Sequence, residues 1–511
     1  MNKILIFLSA ILLTITSWAQ NTLPDTLPMY NPNDFPFFYG VASGESHSNG
    51  FIIWTKITPE AAVDSLTVRW CVSTSTRPKD IVAMGTATAL KHKDYTVKIH
   101  VSGLKPFTHY YYWFKVCPQP GIPGTHGKCY QSPMGKAMTT PAPDQLVNKI
   151  SLAVFTGSNY NAGFFNAYCA VAQDTSINFA IHTGDYIYEY GNNTYGKNPQ
   201  RRLYPAHELI TRKDYNLRYA QYRLDTCLKK AHQAFSWYLI PDDHEVANDS
   251  WKNGAQNHQP NEGNYHVRKA NALAVYYNWL PIAENTDTDF FRTIDMGKLA
   301  TVIFIDTRHH GRDYQRLNPW DTNKTMIGHD QLQWLFQQLL LAKKQNKKWI
   351  IVTQQLLFAP LVFFGDTLNH DGWDMYPLER RKILKFLHDN NINNVVFLGG
   401  DFHTSWANEL YLNPENFHCR RCDTLAAMEF VTPSITSPNA NWLATAIMKT
   451  YTKIIPRKRY IRYVDLHHKG FLKINIYPDK IVAQWYFVKT IKKPDTKILL
   501  RKTFIYKGLQ H

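Results

Sequence analysis

Hydrophobic positions along the chain fall into three regimes. The first is an apolar run, Ile4 through Leu13, interrupted only by Ser9 and preceded by Met1-Asn2-Lys3. It is too short to span a bilayer and suits the central region of a signal peptide, with cleavage expected after Ser17-Trp18-Ala19 and residues 1–19 removed. The second runs from about Phe35 to Pro141, where segments rich in β-branched and aromatic residues (FIIWTKI, LTVRWCVS, YTVKIHVSG, THYYYWFKV) are separated by turns such as that of Gly103 and Pro106. This spacing predicts a small β-sandwich over residues 30–142. After the linker TTPAPDQLVNK the third regime begins: apolar strands ISLAVFTG, INFAIHTGD, LATVIFIDTR, KWIIVTQQ and NNVVFLGGD alternate with helical periodicity, as in HDQLQWLFQQLLLAKK. Continuous apolar runs belong to strands covered on both faces, so residues 148–511 are predicted to form a layered α/β domain with ligands at the strands' carboxyl ends. A last segment, FLKINIYPDKIVAQWYFVKT, predicts a hairpin turning at Pro478-Asp479 and a second sheet facing the first.

Composition refines this picture in three ways. Seven cysteines in 511 residues leave the fold to its hydrophobic core. Cys117 and Cys129 bracket a Pro/Gly-rich loop and can pair; Cys419 and Cys422 in HCRRC form either a disulfide or half of a zinc knuckle, and one cysteine stays unpaired. The formal charge of +17 favours phosphate-bearing substrates or anionic surfaces, but no aromatic-interleaved basic motif reads a base sequence, so sequence-specific nucleic acid binding is not expected. No later stretch approaches a transmembrane segment and no cysteine follows the apolar run to take lipid, so the expectation is an exported, periplasmic or extracellular protein. Its protein partners are left open.

Candidate chemistry sits at the strand ends. In His182-Thr183-Gly184-Asp185-Tyr186-Ile187-Tyr188-Glu189, Gly184 lets the backbone turn and Asp185 offers two oxygens able to bridge two cations. Tyr188 is a harder ligand, with a reference pKa near 10, and needs a strongly polarising ion such as ferric iron. In Pro241-Asp242-Asp243-His244-Glu245-Val246-Ala247-Asn248, four ionisable residues follow an apolar run; Asp243 and Asn248 are the preferred ligands, with Asp242, His244 and Glu245 orienting them. Gly399-Gly400-Asp401-Phe402-His403 presents Asp401 and His403, a hard oxygen and a borderline nitrogen suited to iron, manganese or zinc. Arg308, after TVIFID, and Arg268 offer forks for phosphoryl oxygens, and His244 a hydrogen bond. Asp366, His370 and Asp374 lie in GDTLNHDGWDMYP, a loop placed to rim the pocket or take a further cation such as calcium.

These segments resemble the PhoD-like alkaline phosphatase and phosphodiesterase family of the calcineurin-like metallophosphoesterases. The likeness runs from YGVASGESHSNGFIIWTKI through GDYIYEY, AHQAFSWYLIPDDHEVANDSW, FIDTRHH, IGHDQLQWL and DGWDMYP to GGDFHTSWA. It implies an immunoglobulin-like sandwich before a four-layer α/β/β/α domain, a dinuclear or larger centre of iron with calcium, or with manganese or zinc, and hydrolysis of phosphomonoesters or phosphodiesters by a metal-activated hydroxide. It supports Asp185 as bridging ligand, Tyr188 as iron ligand, and the DDHE segment, Asp401 and His403 in the same centre. Two departures stand out. Met1-Asn2-Lys3 lacks the twin arginines of many relatives, and the family's Ser-Cys pair falls on Thr156-Gly157, so a thiolate ligand is missing and Asn159 or a solvent oxygen would have to replace it. That absence is the best support for the alternative of an exported metal- or phosphate-binding protein with impaired catalysis, against which the retained Asp185, Asp243, Asp401 and His403 argue; within enzymes, lipid head groups, nucleotides and teichoic-type polymers are alternative diester substrates.

Overall fold

A computed structural model describes residues 30–509 apart from 61–62, 119–127, 284–289, 364–365, 368, 421 and 455–459. The expected signal peptide and most of the loop between Cys117 and Cys129 lie outside the described residues.

Two large sheets pack face to face. Among the described residues the first has nine strands, ordered Ile498–Tyr506, Lys480–Val488, Gly470–Tyr477, Ile150–Phe155, Phe179–His182, Ser236–Leu239, Val41–His47, Gly50–Lys56 and Thr96–Val101. The second has seven, ordered Arg292–Met296, Ala300–Phe304, Trp349–Thr353, Val395–Gly399, Leu425–Val431, Ser405–Tyr411 and Ile461–Asp465. Side chains alternate across each strand, and that alternation builds the layers. Leu152, Val154, Ile181 and Tyr238 of the first sheet meet Val302, Ile351, Val396 and Phe430 of the second. Their neighbours Ala153, Phe155, Ala180 and Trp237 turn outward onto the helices carrying Tyr168, Leu228 and Trp279. On the far side Ile303, Ile350 and Val395 pack against Leu335, Leu339 and Leu384. The result is the expected α/β/β/α layering, with no strand of the central parallel runs left facing water. The hairpin at Pro478-Asp479 joins the strands Gly470–Tyr477 and Lys480–Val488 at one side of the first sheet.

The N-terminal region is two-layered but not self-contained. Strands Ile81–Leu90, Ser65–Ser73, His109–Val116 and Tyr130–Gln131 form one layer, with Gly135–Met138 also on His109–Val116. Phe51 and Ile53 cover it together with Val68, Val72 and Phe114. The opposing layer, however, continues the nine-stranded sheet: Val41–His47 pairs in parallel with Ser236–Leu239, Ser43 opposite Ser236. Strand Ile81–Leu90, absent from the sequence reading, alternates half-buried and exposed positions and carries Ala, Thr and Gly where the other strands carry aromatics.

Three disulfides occur among the described residues: Cys117–Cys129, Cys419–Cys422 and Cys169–Cys227. The second disposes of the zinc-knuckle alternative. The third joins residues 58 apart in sequence and was not legible there. Cys71 is the free thiol.

Candidate metal centre

The strand Phe179–His182 delivers its chain to a sharp bend. Gly184 has φ +102°, and a Cβ there would lie 2.4 Å from the Asp242 nitrogen, so only glycine fits. Asp185 follows at φ 58°, and Asp401 and His403 take φ 54° and 57° at the end of Val395–Gly399; the left-handed region turns each side chain back over the sheet. One residue holds two of the strand ends together. The buried Glu245 carboxyl accepts the N–H groups of Asp185 (3.0 Å), Tyr186 (2.6 Å), Ile187 (3.1 Å) and Asp242 (2.6 Å). Burial, with the nearby Asp185 charge, pushes this carboxyl up to about 8 despite those donors.

Asp185 Oδ2 accepts the Tyr188 hydroxyl at 2.7 Å and lies 3.0 Å from His403 Nε2; the Tyr188 oxygen is 2.9 Å from the same nitrogen and accepts Ser437 Oγ at 2.5 Å. Burial first, and then Asp185, hold the phenol well above its ordinary pKa, so ligation as phenolate requires a strongly polarising cation. On the neighbouring strand end, Asp243 Oδ2 accepts the Asp249 N–H at 2.6 Å. Burial opposes ionisation of Asp243, but Arg308, His244 and that N–H outweigh it and keep the carboxyl well below the usual range. His244 Nδ1 donates to the buried Glu189 at 2.6 Å, and Glu189 also accepts the Asn248 N–H at 2.8 Å and Asn257 Nδ2 at 2.7 Å. Burial opposes the His244 cation; Glu189, Asp185 and Asp243 overcome it and hold the imidazole well above its ordinary pKa.

Carboxylate oxygens remain unsatisfied at the heart of this array. Asp185 Oδ1, Asp242 Oδ2 and Asp243 Oδ1 are buried without a hydrogen-bond partner, a costly state that cations relieve. Ligand atoms of Asp185, Asp243 and His244 converge within 4.8 Å of one another, as do those of Asp242, Asp243 and Asp401, and of Asp243, Asp249 and Asp371. The donor set of carboxylates, imidazole and phenol therefore fits a multinuclear metal centre. Asp243 belongs to all three groups, while Asp185, read from sequence as the bridge, belongs to one.

At the array opens a cavity of about 580 Å³, whose lining includes the polar Asp185, Asp243, His244, Asn248, Asp401 and His403 and the apolar Leu361, Phe402, Trp406, Met448 and Leu466. The two arginines read from sequence sit elsewhere. Arg308 is fully buried beneath the cavity, its three nitrogens engaged by Asp242, Asp371 and Asp401 (2.6 Å), with Asp243 at 3.4 Å. It neutralises acids and has no free fork for phosphate. Arg268 pairs with Glu208 (2.8 Å) and Glu262 (3.2 Å) and bonds Tyr215, outside the cavity lining. Asp371, Asp249 and Tyr195 line the cavity and were missed. Asp371 lies in the acidic loop already singled out, but Asp374 of that loop accepts the Leu361 N–H and pairs with Arg380 instead, and His370 is exposed.

Gly157 occupies the point where a thiolate was missing. Its φ is +64°, and a Cβ would lie 2.8 Å from His403 Cδ2 and 2.7 Å from Ser434 Cβ, so the imidazole fills the room a side chain would need. Asn159 does not shift in: its side chain accepts the Ala162 N–H and donates to the Tyr195 carbonyl.

Paired sheets between helical layers, with buried acids and imidazoles at the strand ends, define a metallophosphoesterase. Comparison with known proteins places it more narrowly. The family described as PhoD-like phosphatase matches residues 152–485, and its N-terminal domain matches residues 24–141. Alkaline phosphatase D of Bacillus subtilis (strain 168) is 32% identical over 501 residues, 93% of this chain and 82% of that protein. A solved structure of PhoD superposes with a TM-score of 0.82 at 30% identity, covering 93% of this chain and 91% of that one. The chain belongs to the PhoD-like phosphatase family, as metal-dependent hydrolases of phosphate esters.

Proposed function

We propose that the protein is an exported phosphodiesterase whose centre is held by Asp185, Tyr188, Asp243, Asn248, Asp401 and His403, with Asp371 and Asp249 completing it. The observation that carries this reading is the grouping of ligand atoms of Asp185, Asp243 and His244, of Asp242, Asp243 and Asp401, and of Asp243, Asp249 and Asp371, among which Asp185 Oδ1, Asp242 Oδ2 and Asp243 Oδ1 are buried without a hydrogen bond. Bound there, the cations supply Lewis acidity and activate water as the nucleophile. The chain's own residues do the rest. His244, fixed through Nδ1 by Glu189, turns its other ring nitrogen toward the cavity, where it serves the phosphoryl oxygens as a donor. Arg308 screens the carboxylates from one another, a positioning role, and Arg268 a structural one. Phe402, Trp406 and Met448 line the same cavity as the acids and offer apolar surface to an organic ester group, which favours a diester over a monoester. The oxygen-rich donor set supports iron with calcium. Three disulfides and the N-terminal apolar run support export to an oxidising compartment.

The test is elemental analysis of the purified protein beside Asp185→Asn, with hydrolysis of an aryl phosphodiester and an aryl phosphomonoester. We expect at least two ions per chain in the parent, fewer in the variant, and diester turnover that falls at least about a hundredfold with them. An unchanged metal count in the variant, or a parent that prefers the monoester, would overturn the assignment.

A further inference from the structure

The helix Trp442–Ile454 is two-faced in an unusual sense. One side packs inward: Thr445 Oγ1 accepts the Leu466 N–H at 2.9 Å, and Met448 reaches the wall of the catalytic cavity. The other side shows water Trp442 (68% exposed), Leu443 (50%), Ile447 (51%) and Ile454 (67%). Leu443, Ile447 and Ile454 recur at spacings of four and seven, which aligns them in one stripe along the helix. Trp442 begins a neighbouring row that continues through Ala446 to Lys449 and Lys453. Those two lysines line a cleft with Arg420 and Arg462. On the opposite flank, the segment leading into the helix (Pro438–Asn441) bounds a second cleft that holds Lys197, Lys489 and Lys492. None of Lys197, Lys449, Lys453, Lys489 and Lys492 has an ion-pair partner among the described residues. An exposed apolar stripe edged by unpaired cations is therefore set beside the mouth of the active-site cavity, since Pro438, Asn439 and Ala440 line both.

We propose that this helix docks the protein on an anionic lipid surface, so that the cavity receives phosphate esters carried by the membrane. Charge complementarity selects the occupant. Tryptophan and aliphatic side chains settle at the acyl–headgroup boundary while flanking lysines extend to lipid phosphates, the arrangement of a helix lying in the interface. At 13 residues the helix is too short to cross a bilayer, and no helix among the described residues is long and apolar enough to do so. Docking here brings a headgroup within reach of the strand-end acids, because Asn439 Nδ2, three residues before the helix, donates to the His403 carbonyl at 3.0 Å. The substrate half of the proposal rests on the phosphodiesterase reading; the docking half does not.

The experiment is co-sedimentation of the mature, metal-loaded protein, with residues 1–19 removed, with vesicles of phosphatidylcholine alone and of equimolar phosphatidylcholine and phosphatidylglycerol, beside the triple variant Trp442→Ser/Leu443→Ser/Ile447→Ser. Aryl phosphodiester turnover and light scattering are measured on the same samples. The expected result is parent binding to the anionic vesicles that weakens with added salt, and binding reduced roughly tenfold or more in the variant. Turnover of the water-borne diester should be unchanged, which shows that the variant is folded. No parent binding to anionic vesicles, or equal binding by the variant, overturns the proposal. So does a concentration-dependent dimer that the variant abolishes without any vesicle binding, which would make this face a contact between copies. Loss of diester turnover in the parent with vesicle binding intact would strike the phosphodiesterase reading and leave docking standing.

Discussion

At the residue scale the centre depends on side chains that never reach the cavity. Glu245 spends its two oxygens on four backbone N–H groups and so fixes Asp185 and Asp242 relative to each other. Replacing it by Gln keeps the shape but turns one acceptor into a donor facing those N–H groups. At pH 9, above the pKa of about 8 to which Glu245 is raised, we expect Glu245→Gln to lower stability by about 1–3 kcal/mol and to lower metal occupancy with it, measured by urea unfolding and elemental analysis. Lys469 offers a pH test at the edge of the site, where its partner Ser437 also donates to Tyr188. Burial alone pushes its ammonium down to about 7 from the ordinary 10.5, and its partners are the Ser437 carbonyl and Ser434 Oγ at 3.1 Å, with no carboxylate. Between those two values the unfolded chain holds the proton that the folded chain has released, so stability rises with pH across that window, and the cost of the buried charge is fully felt below it. Lys469→Met should therefore be most stabilising, relative to the parent, near pH 7, and its advantage should shrink toward pH 10. Urea midpoints at both pH values check this; a pH-independent difference would contradict it.

Elements act here as carriers of strand ends and as clamps upon one another. The helices Asn166–Val171 and Thr226–Ala234 flank the strands that deliver Asp185 and Asp243, and Cys169–Cys227 ties them together. The bridge closes a 58-residue segment. On loop-closure entropy its removal costs about 4 kcal/mol. The double variant Cys169→Ser/Cys227→Ser should show a loss of that order in thermal or urea unfolding, while metal content and turnover of the folded protein stay unchanged. A loss of metal without a loss of stability would mean that the bridge orients the site and not the helices.

For the whole molecule, the joined sheet is the decisive feature. Phe38, Tyr39, Ala42 and Trp54 from the N-terminal region pack in the same core as Trp237 and Trp279, and Trp54 Nε1 donates to the Asn278 carbonyl at 2.8 Å. A chain beginning at residue 148 would expose the edge of Ser236–Leu239 and open that core. It should elute as aggregate in size-exclusion chromatography and fail to retain metal; a monodisperse, metal-replete fragment would show that the sheet closes without its N-terminal strands.

The sequence by itself determined the order of the central strands, the layered α/β class and the position of the strand-end acids and imidazoles. Local signals carry all three: alternation and continuity of apolar residues set the strands, and Gly184 or the Gly399-Gly400 pair marks where a strand must turn. Asp185, Asp243, His244, Asn248, Asp401 and His403, read from three segments that each follow an apolar strand, line one cavity. Which charged side chains face the cavity was decided only by tertiary structure. Arg308 and Arg268 read alike in sequence, yet one lies buried among Asp242, Asp371 and Asp401 and the other between Glu208 and Glu262. Asp371 and Asp374 stand three residues apart in one loop and face different arginines. Partners between 6 and 93 residues away settle these choices, as residues 58 apart settle the Cys169–Cys227 bridge and the N-terminal region supplies the parallel pairing of Ser43 with Ser236. A buried charge goes where its counter-charge is, and that location exists only once the chain has folded.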